Sequence, residues 1–338
     1  MIAGQNFRRF MLIDNHGRKI NYLRLAVTDR CNLRCNYCMP SEGIDFVKND
    51  RLLTIPELIQ TSRVLVSQGI DKIRITGGEP FVRKDLMILL RELSQMDGLD
   101  EISVTTNATL IGPHIDELKE LGIKNVNVSL DSINRETFER ITRRKQFDTV
   151  HNNLIRLITE GFNVRINFIV LDGQNEQDII PILELMKHYN VSVRFLEEMP
   201  FNGGSKEFNQ IKWNYKAILK HIASQYPDYK KIESPKTSTS INYKIDGHKG
   251  TFGVIPSFSR TFCGSCNRLR ITATGDVITC LYGKPKANLR DIIRKEKNDE
   301  NIKDTILKVI GNRAKTGFEA QNEHTNTVFH NSMTSIGG

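Results

Sequence analysis

Cysteine is scarce in this chain and unevenly placed. Six occur in 338 residues, three within 31–38 and three within 263–280, with none in the 224 positions between (262 − 38). That is too few for a disulfide scaffold and points to a reducing compartment. Long apolar runs are missing as well. No stretch approaches the roughly 20 residues of a membrane span, and the opening "MIAGQNFRRFMLIDNHGRK" has no signal-peptide core. The expectation is a cytoplasmic protein with no membrane partner. A G-x4-G-K-[ST] loop is also lacking, so a triphosphate would not be held in the P-loop manner.

What is present is ordinary for a globular chain with a sizeable core: 39% hydrophobic and 26% charged residues. The net charge is +9, part of it local, with eight lysines against three acids in 212–250. A solvated, lysine-rich connection is the plainest reading of that run, and no nucleic-acid partner is expected. Short runs rich in Val, Ile and Leu recur: "YLRLAVT" (22–28), "KIRITGG" (72–78), "EISVTTN" (101–107), "NVNVSLD" (125–131), "VRINFIV" (164–170) and "VSVRFLEEM" (191–199). Amphipathic stretches such as 54–69 and 178–189 separate them. This alternation predicts parallel strands with helical crossovers.

Six units are fewer than the eight of a closed barrel. The expected fold is therefore α/β, a partial (βα)6 TIM-type barrel over 1–245 with one side open; an open doubly wound sheet competes. Two hairpins follow, 240–257 turning near Asp246-Gly247 and 268–280 around Thr274-Gly275-Asp276. With mostly helical material from 287 they predict a C-terminal α+β extension, 246–338. In either layout chemistry gathers at the carboxyl ends of the strands. Cys31, Gly77-Gly78-Glu79-Pro80, Thr105, Asn107, Ser129, Asp131 and Met199 all fall there.

"TDRCNLRCNYCMP" (28–40) carries Cys31, Cys35 and Cys38 as C-x3-C-x2-C. A zinc knuckle would need a fourth Cys or His close by, and His16 is too distant. A four-iron cluster normally takes four cysteines. Three leave one iron open to a small ligand, the logic by which a catalytic zinc keeps an open position. Zinc completed from elsewhere in the fold is the other reading. In "RITGGEP" (74–80) two glycines allow close backbone approach to a ligand, and Glu79 can accept hydrogen bonds from an ammonium group. The triad after a first strand, Tyr37 before its last cysteine, and Gly-Gly-Glu-Pro together resemble the radical S-adenosylmethionine (SAM) superfamily. The resemblance implies that SAM binds the open iron of a [4Fe-4S] cluster and is cleaved, on one-electron reduction, to a 5′-deoxyadenosyl radical. It implies Tyr37, Gly78, Ser129 and Met199 as SAM contacts.

The second set, Cys263, Cys266 and Cys280, is spaced C-x2-C-x13-C and read alone suits a zinc ribbon. Arg268 and Arg270 lie two apart on a strand and share a face. Two guanidiniums so placed suit a triphosphate. "FCGSCNRLRITATGDVITC" (262–280) closely resembles the GTP 3′,8-cyclase family of molybdenum cofactor biosynthesis. The resemblance implies a second [4Fe-4S] cluster whose open iron meets the purine of GTP, in an extension that closes the open side of the barrel. It implies nucleotide contacts at Arg24, Arg74, Thr105, Arg165, Arg268, Leu269 and Arg270, with catalytic roles for Arg24, Arg268 and Arg270. The terminal Gly337-Gly338 resembles a double glycine that reaches toward the active site in this family. Two positions depart from the family pattern: Arg165 stands where Lys is usual, and Ala108 where Gly is commoner.

The reaction implied is that of a lyase, forming 3′,8-cyclo-7,8-dihydro-GTP after abstraction of the ribose 3′ hydrogen. It requires an external electron donor of flavodoxin or ferredoxin type and a downstream cyclic pyranopterin monophosphate synthase; a homodimer is expected. Two rival readings remain: another two-cluster radical SAM enzyme such as a peptide maturase, and a non-enzymatic zinc protein that binds RNA.

Overall fold

Alternation with a period of two shapes the six strands that the apolar runs predict. In the structure, a computed structural model that describes residues 10–202, 211–296, 298–323 and 332–337, they are β1 (Tyr22–Ala26), β2 (Lys72–Thr76), β3 (Glu101–Thr106), β4 (Asn125–Ser129), β5 (Asn163–Val170) and β6 (Ser192–Glu197). Successive side chains point to opposite faces. Leu23, Ile73, Val104, Val126, Ile166 and Val193 are wholly buried in the core shared with the helices. The alternate positions, including Arg24, Arg74, Thr105, Ser129 and Arg194, face a cavity instead. This barrel thus keeps its apolar packing outside the sheet and its polar groups inside.

Helices carry the chain back between strands: α1 (Ile55–Ser67), α2 (Leu86–Ser94), α3 (Ile115–Glu120), α4 (Arg135–Thr142) with α5 (Phe147–Thr159), and α6 (Ile179–His188). The start of α1 shows why the sequence stops and starts where it does. Thr54 accepts from the Glu57 backbone N–H while the Glu57 carboxylate accepts from the Thr54 N–H, satisfying two otherwise orphaned donors. Every neighbouring pair from β1 to β6 is parallel, which gives the partial TIM-type barrel.

The extension comprises β7 (Lys230–Lys231), β8 (Ile241–Lys244), β9 (Thr251–Ile255), β10 (Arg268–Ile271), β11 (Asp276–Ile278) and β12 (Ala287–Asn288). Both expected hairpins form, β8 with β9 and β10 with β11. They attach to opposite edges: β9 pairs parallel to β6, and β10 pairs parallel to β1. Among the described residues this makes one twelve-stranded sheet in the order β12-β11-β10-β1-β2-β3-β4-β5-β6-β9-β8-β7. The twelve residues 256–267 therefore link the two edges of the parallel run, and they carry Cys263 and Cys266. Among the described residues no helix is long and apolar enough to cross a membrane.

Candidate active site

A cavity of about 290 Å³ occupies the inner face of the sheet, and all six cysteines line it. The strand register shows where each set sits. Cys31 follows the carboxyl end of β1, whereas Cys266 lies two residues before β10, whose first residue Arg268 pairs with Tyr22 at the amino end of β1. Cys280 follows β11, which runs antiparallel to β10, and so returns to that same amino end. The two triads thus stand at opposite ends of the strands, and a strand of this length spans roughly 15 Å.

At the carboxyl end, Gly77 and Gly78 bring the backbone against the first cysteine loop. The Gly78 N–H donates to Thr28 O, and a Cβ on Gly78 would fall 2.3 Å from Arg30 O. No other residue fits there. The Tyr37 hydroxyl donates to Asp131 Oδ2 at 2.7 Å, while Asp131 Oδ1 accepts from the Ile169 N–H, so the loop is tied to the ends of β4 and β5. Burial pushes Asp131 up to about 6. Glu79 is fully buried and accepts from Phe81 N, Thr106 Oγ1 and Asn107 N. Its carboxylate ties the Gly-Gly-Glu-Pro turn to the loop after β3.

Between the two triads, the three arginines of adjacent strands stand in register: Arg270 on β10 pairs with Arg24 on β1, which pairs with Arg74 on β2. Neighbouring strands lie about 4.8 Å apart, so three guanidiniums crowd one row. Burial, and then Arg270, depress Arg24 well below the usual arginine range; burial, and then Arg268, bring Arg270 down to about 10. Arg194 on β6 is lowered to about 9, first by burial and then by Arg165 and Arg74. Buried Thr105 Oγ1, Asn127 Oδ1 and Arg194 Nε have no hydrogen-bond partner among the described residues. A cluster of like charges beside orphaned polar atoms is costly unless an anion with many acceptors joins it.

Tyr37, Gly78, Ser129, Met199, Arg24, Arg74, Thr105, Arg268 and Arg270 all line this one cavity. Two of the expected contacts do not. Leu269 alternates to the opposite face from its two arginine neighbours and is buried in the core. Arg165 sits beside Arg74 and Arg194 and donates to Asn125 Oδ1 at 3.2 Å, outside the cavity lining. Arg194 was not foreseen, although a lone arginine alternating with Ser192 and Leu196 in an apolar strand was its signal. The chain end reaches the site too: Arg270 Nη1 donates to Gly337 O at 2.9 Å, and the Ser332 hydroxyl lies 3.5 Å from Cys38 Sγ. Gly337 is left-handed (φ +78°), and a Cβ there would lie 3.0 Å from Ala26 Cβ. Gly338 lies outside the described residues.

Each triad offers three thiols and no imidazole. Among the described residues no three His, Cys, Asp or Glu side chains converge as the ligands of a single ion do. Three thiols with no imidazole beside them are the donor set that would suit a [4Fe-4S] cluster at each triad.

Comparison with known proteins agrees in both halves. A model of the radical SAM superfamily matches residues 25–186, and one described as Molybdenum Cofactor Synthesis C matches residues 191–319. A GTP 3′,8-cyclase of Peptoclostridium acidaminophilum is 40% identical over 306 residues, covering 90% of this chain and 92% of that protein. The chain belongs to the GTP 3′,8-cyclase family. The mitochondrial family member of Arabidopsis thaliana is 38% identical over 88% of this chain and 76% of its own length. Molybdenum cofactor biosynthesis protein 1 of Dictyostelium discoideum is 40% identical over 88% of this chain. This chain spans about half the length of that relative and of its Drosophila melanogaster counterpart, 48% and 55%. Among solved structures, Streptococcus suis SuiB bound to S-adenosylmethionine superposes with a TM-score of 0.61 at 14% identity, over 82% of this chain and 65% of that one. That likeness carries the fold alone.

Proposed function

We propose that this protein is a lyase that converts GTP to 3′,8-cyclo-7,8-dihydro-GTP in molybdenum cofactor biosynthesis. The observation that carries the reading is the register row Arg270–Arg24–Arg74, set between two three-thiol sites that face one cavity. Cys31, Cys35 and Cys38 would hold the cluster that, with SAM, supplies the 5′-deoxyadenosyl radical for abstraction of the ribose 3′ hydrogen. Tyr37, Gly78, Ser129 and Met199 hold SAM at the carboxyl end. Arg24, Arg268 and Arg270, assisted by Arg74 and Thr105, neutralise the triphosphate and keep the ribose in line, while Arg165 and Arg194 add positive charge from β5 and β6. Leu269 contributes only through its backbone or apolar packing. Cys263, Cys266 and Cys280 would hold the second cluster, which would supply a binding position for the purine at the amino end. The residues thus fix one substrate across the strand length and keep water from the radical.

The barrel, residues 1–245, and the cluster-bearing extension, 246–338, act as the two domains. An external flavodoxin- or ferredoxin-type donor, a downstream cyclic pyranopterin monophosphate synthase, a homodimeric assembly and a cytoplasmic setting complete the reading. Anaerobic incubation of the reconstituted, reduced protein with SAM and GTP tests it. Formation of 5′-deoxyadenosine should depend on GTP and accompany the cyclised nucleotide. Formation indifferent to GTP, or a colourless zinc-loaded protein without iron and sulfide, would overturn it.

A further inference from the structure

The strongest polar cluster outside the cavity lies behind the second triad. Arg313 is almost wholly buried, and its Nη2 donates to Cys266 Sγ at 3.0 Å while Nη1 donates to Cys266 O at 3.1 Å. Both contacts fix one guanidinium on one cysteine. Asp14, equally buried, stands 3.7 Å from Arg313 Nη1. That carboxylate is itself held by Arg18 Nε at 2.6 Å and by the backbone N–H groups of His16 and Arg18. Arg18 then donates to Cys263 O, Lys315 O and Ala314 O, and His16 Nε2 donates to Arg313 O. The turn at residues 14–18 therefore grips both the CysGlySerCys loop and the 313–315 segment.

We propose that Arg313 is a positioning residue that raises the reduction potential of the second cluster, and that Asp14 and Arg18 hold it in place. The inference rests on the reading of Cys263, Cys266 and Cys280 as cluster ligands. Adding an electron adds negative charge to the cluster and its thiolates. A charged N–H on a ligand sulfur stabilises that added charge, and burial strengthens the effect by keeping water away. Asp14 balances only one of the two arginines beside it, so the cluster faces a net positive brace. Among the described residues the first triad has nothing comparable: its sulfurs meet the Asn107 amide, the Tyr37 and Ser332 hydroxyls and the backbone N–H groups of Leu33, Met333 and Thr334, all neutral. Outer contacts of this kind commonly tune metal sites.

The test is an EPR-monitored redox titration of the reconstituted two-cluster protein, with the first cluster recognised by its response to SAM. Arg313→Gln should keep its iron and sulfide and lose at least tenfold in the reduced-to-oxidised ratio of the second cluster at a fixed potential, about 59 mV for a one-electron couple. Arg313→Lys, which keeps the charge but not the fork, should lie between. The first cluster should not move in either. Full iron with an unmoved second-cluster potential in Arg313→Gln would overturn the proposal. So would loss of second-cluster iron from both variants, which would make Arg313 a scaffold only. Failure of the underlying reading looks different: the unmodified protein itself would then show no second cluster.

Discussion

The two cysteine triads have the same ligand count and different electrical surroundings. Burial and then Glu79 push Cys31 up to about 12; burial and then Asp131 push Cys35 well above the usual thiol range. Burial raises Cys38 too. In the second triad burial raises Cys280, but Cys266, also largely enclosed, is lowered, because Arg268 and Arg313 outweigh the burial that acts against them. A site flanked by carboxylates disfavours added negative charge, and a site braced by arginines favours it. The difference suits the two tasks of the proposed function, in which the first site would pass an electron onward to cleave SAM and the second would grip a polyanionic nucleotide.

The sharpest way to break the comparison is to remove one ligand from each triad. Cys35→Ala should lose about four irons and all 5′-deoxyadenosine formation. Cys266→Ala should lose a similar amount of iron, keep a first cluster whose EPR signal responds to SAM, and make no cyclised nucleotide. Iron analysis, EPR and product chromatography read both, and loss of the SAM-responsive signal in Cys266→Ala would unite what the structure separates. Next in size is Arg270→Ala. Removing a buried charged contact costs about 2–5 kcal/mol, so nucleotide affinity should fall roughly 30-fold or more with both clusters intact; equilibrium dialysis with GTP measures it. The smallest effect is chemical. In the metal-free protein at pH 8, iodoacetamide should modify Cys266 several-fold faster than Cys31, since only thiolate attacks and the lower pKa leaves more of it. The gap should close as pH rises toward 12, and peptide mass spectrometry gives the order.

Much of this was legible in the sequence because it is local. Alternation marked β1 to β6, and cysteine spacing marked both triads. The i, i+2 spacing put Arg268 and Arg270 on one face. What stayed hidden is set by pairing between distant segments. Nothing in "RLRITATGDVITC" says that β10 joins β1 rather than β6, yet that choice aligns Arg270 with Arg24 and sends the second triad to the amino end. Arg313 and Asp14 lie 299 positions apart (313 − 14) and carry no motif, so only the fold brings them to Cys266. Glu79 was legible as part of a motif, but its bonds to Thr106 and Asn107 on the next strand and loop were not.

The central claim is that the two triads hold clusters with different partners across one cavity. The direct measurement is the EPR spectrum of the reduced Cys31→Ala/Cys35→Ala/Cys38→Ala protein, which keeps only the second site. The account predicts that GTP changes this spectrum and SAM leaves it as it was. A spectrum altered by SAM, or one untouched by GTP, would contradict it.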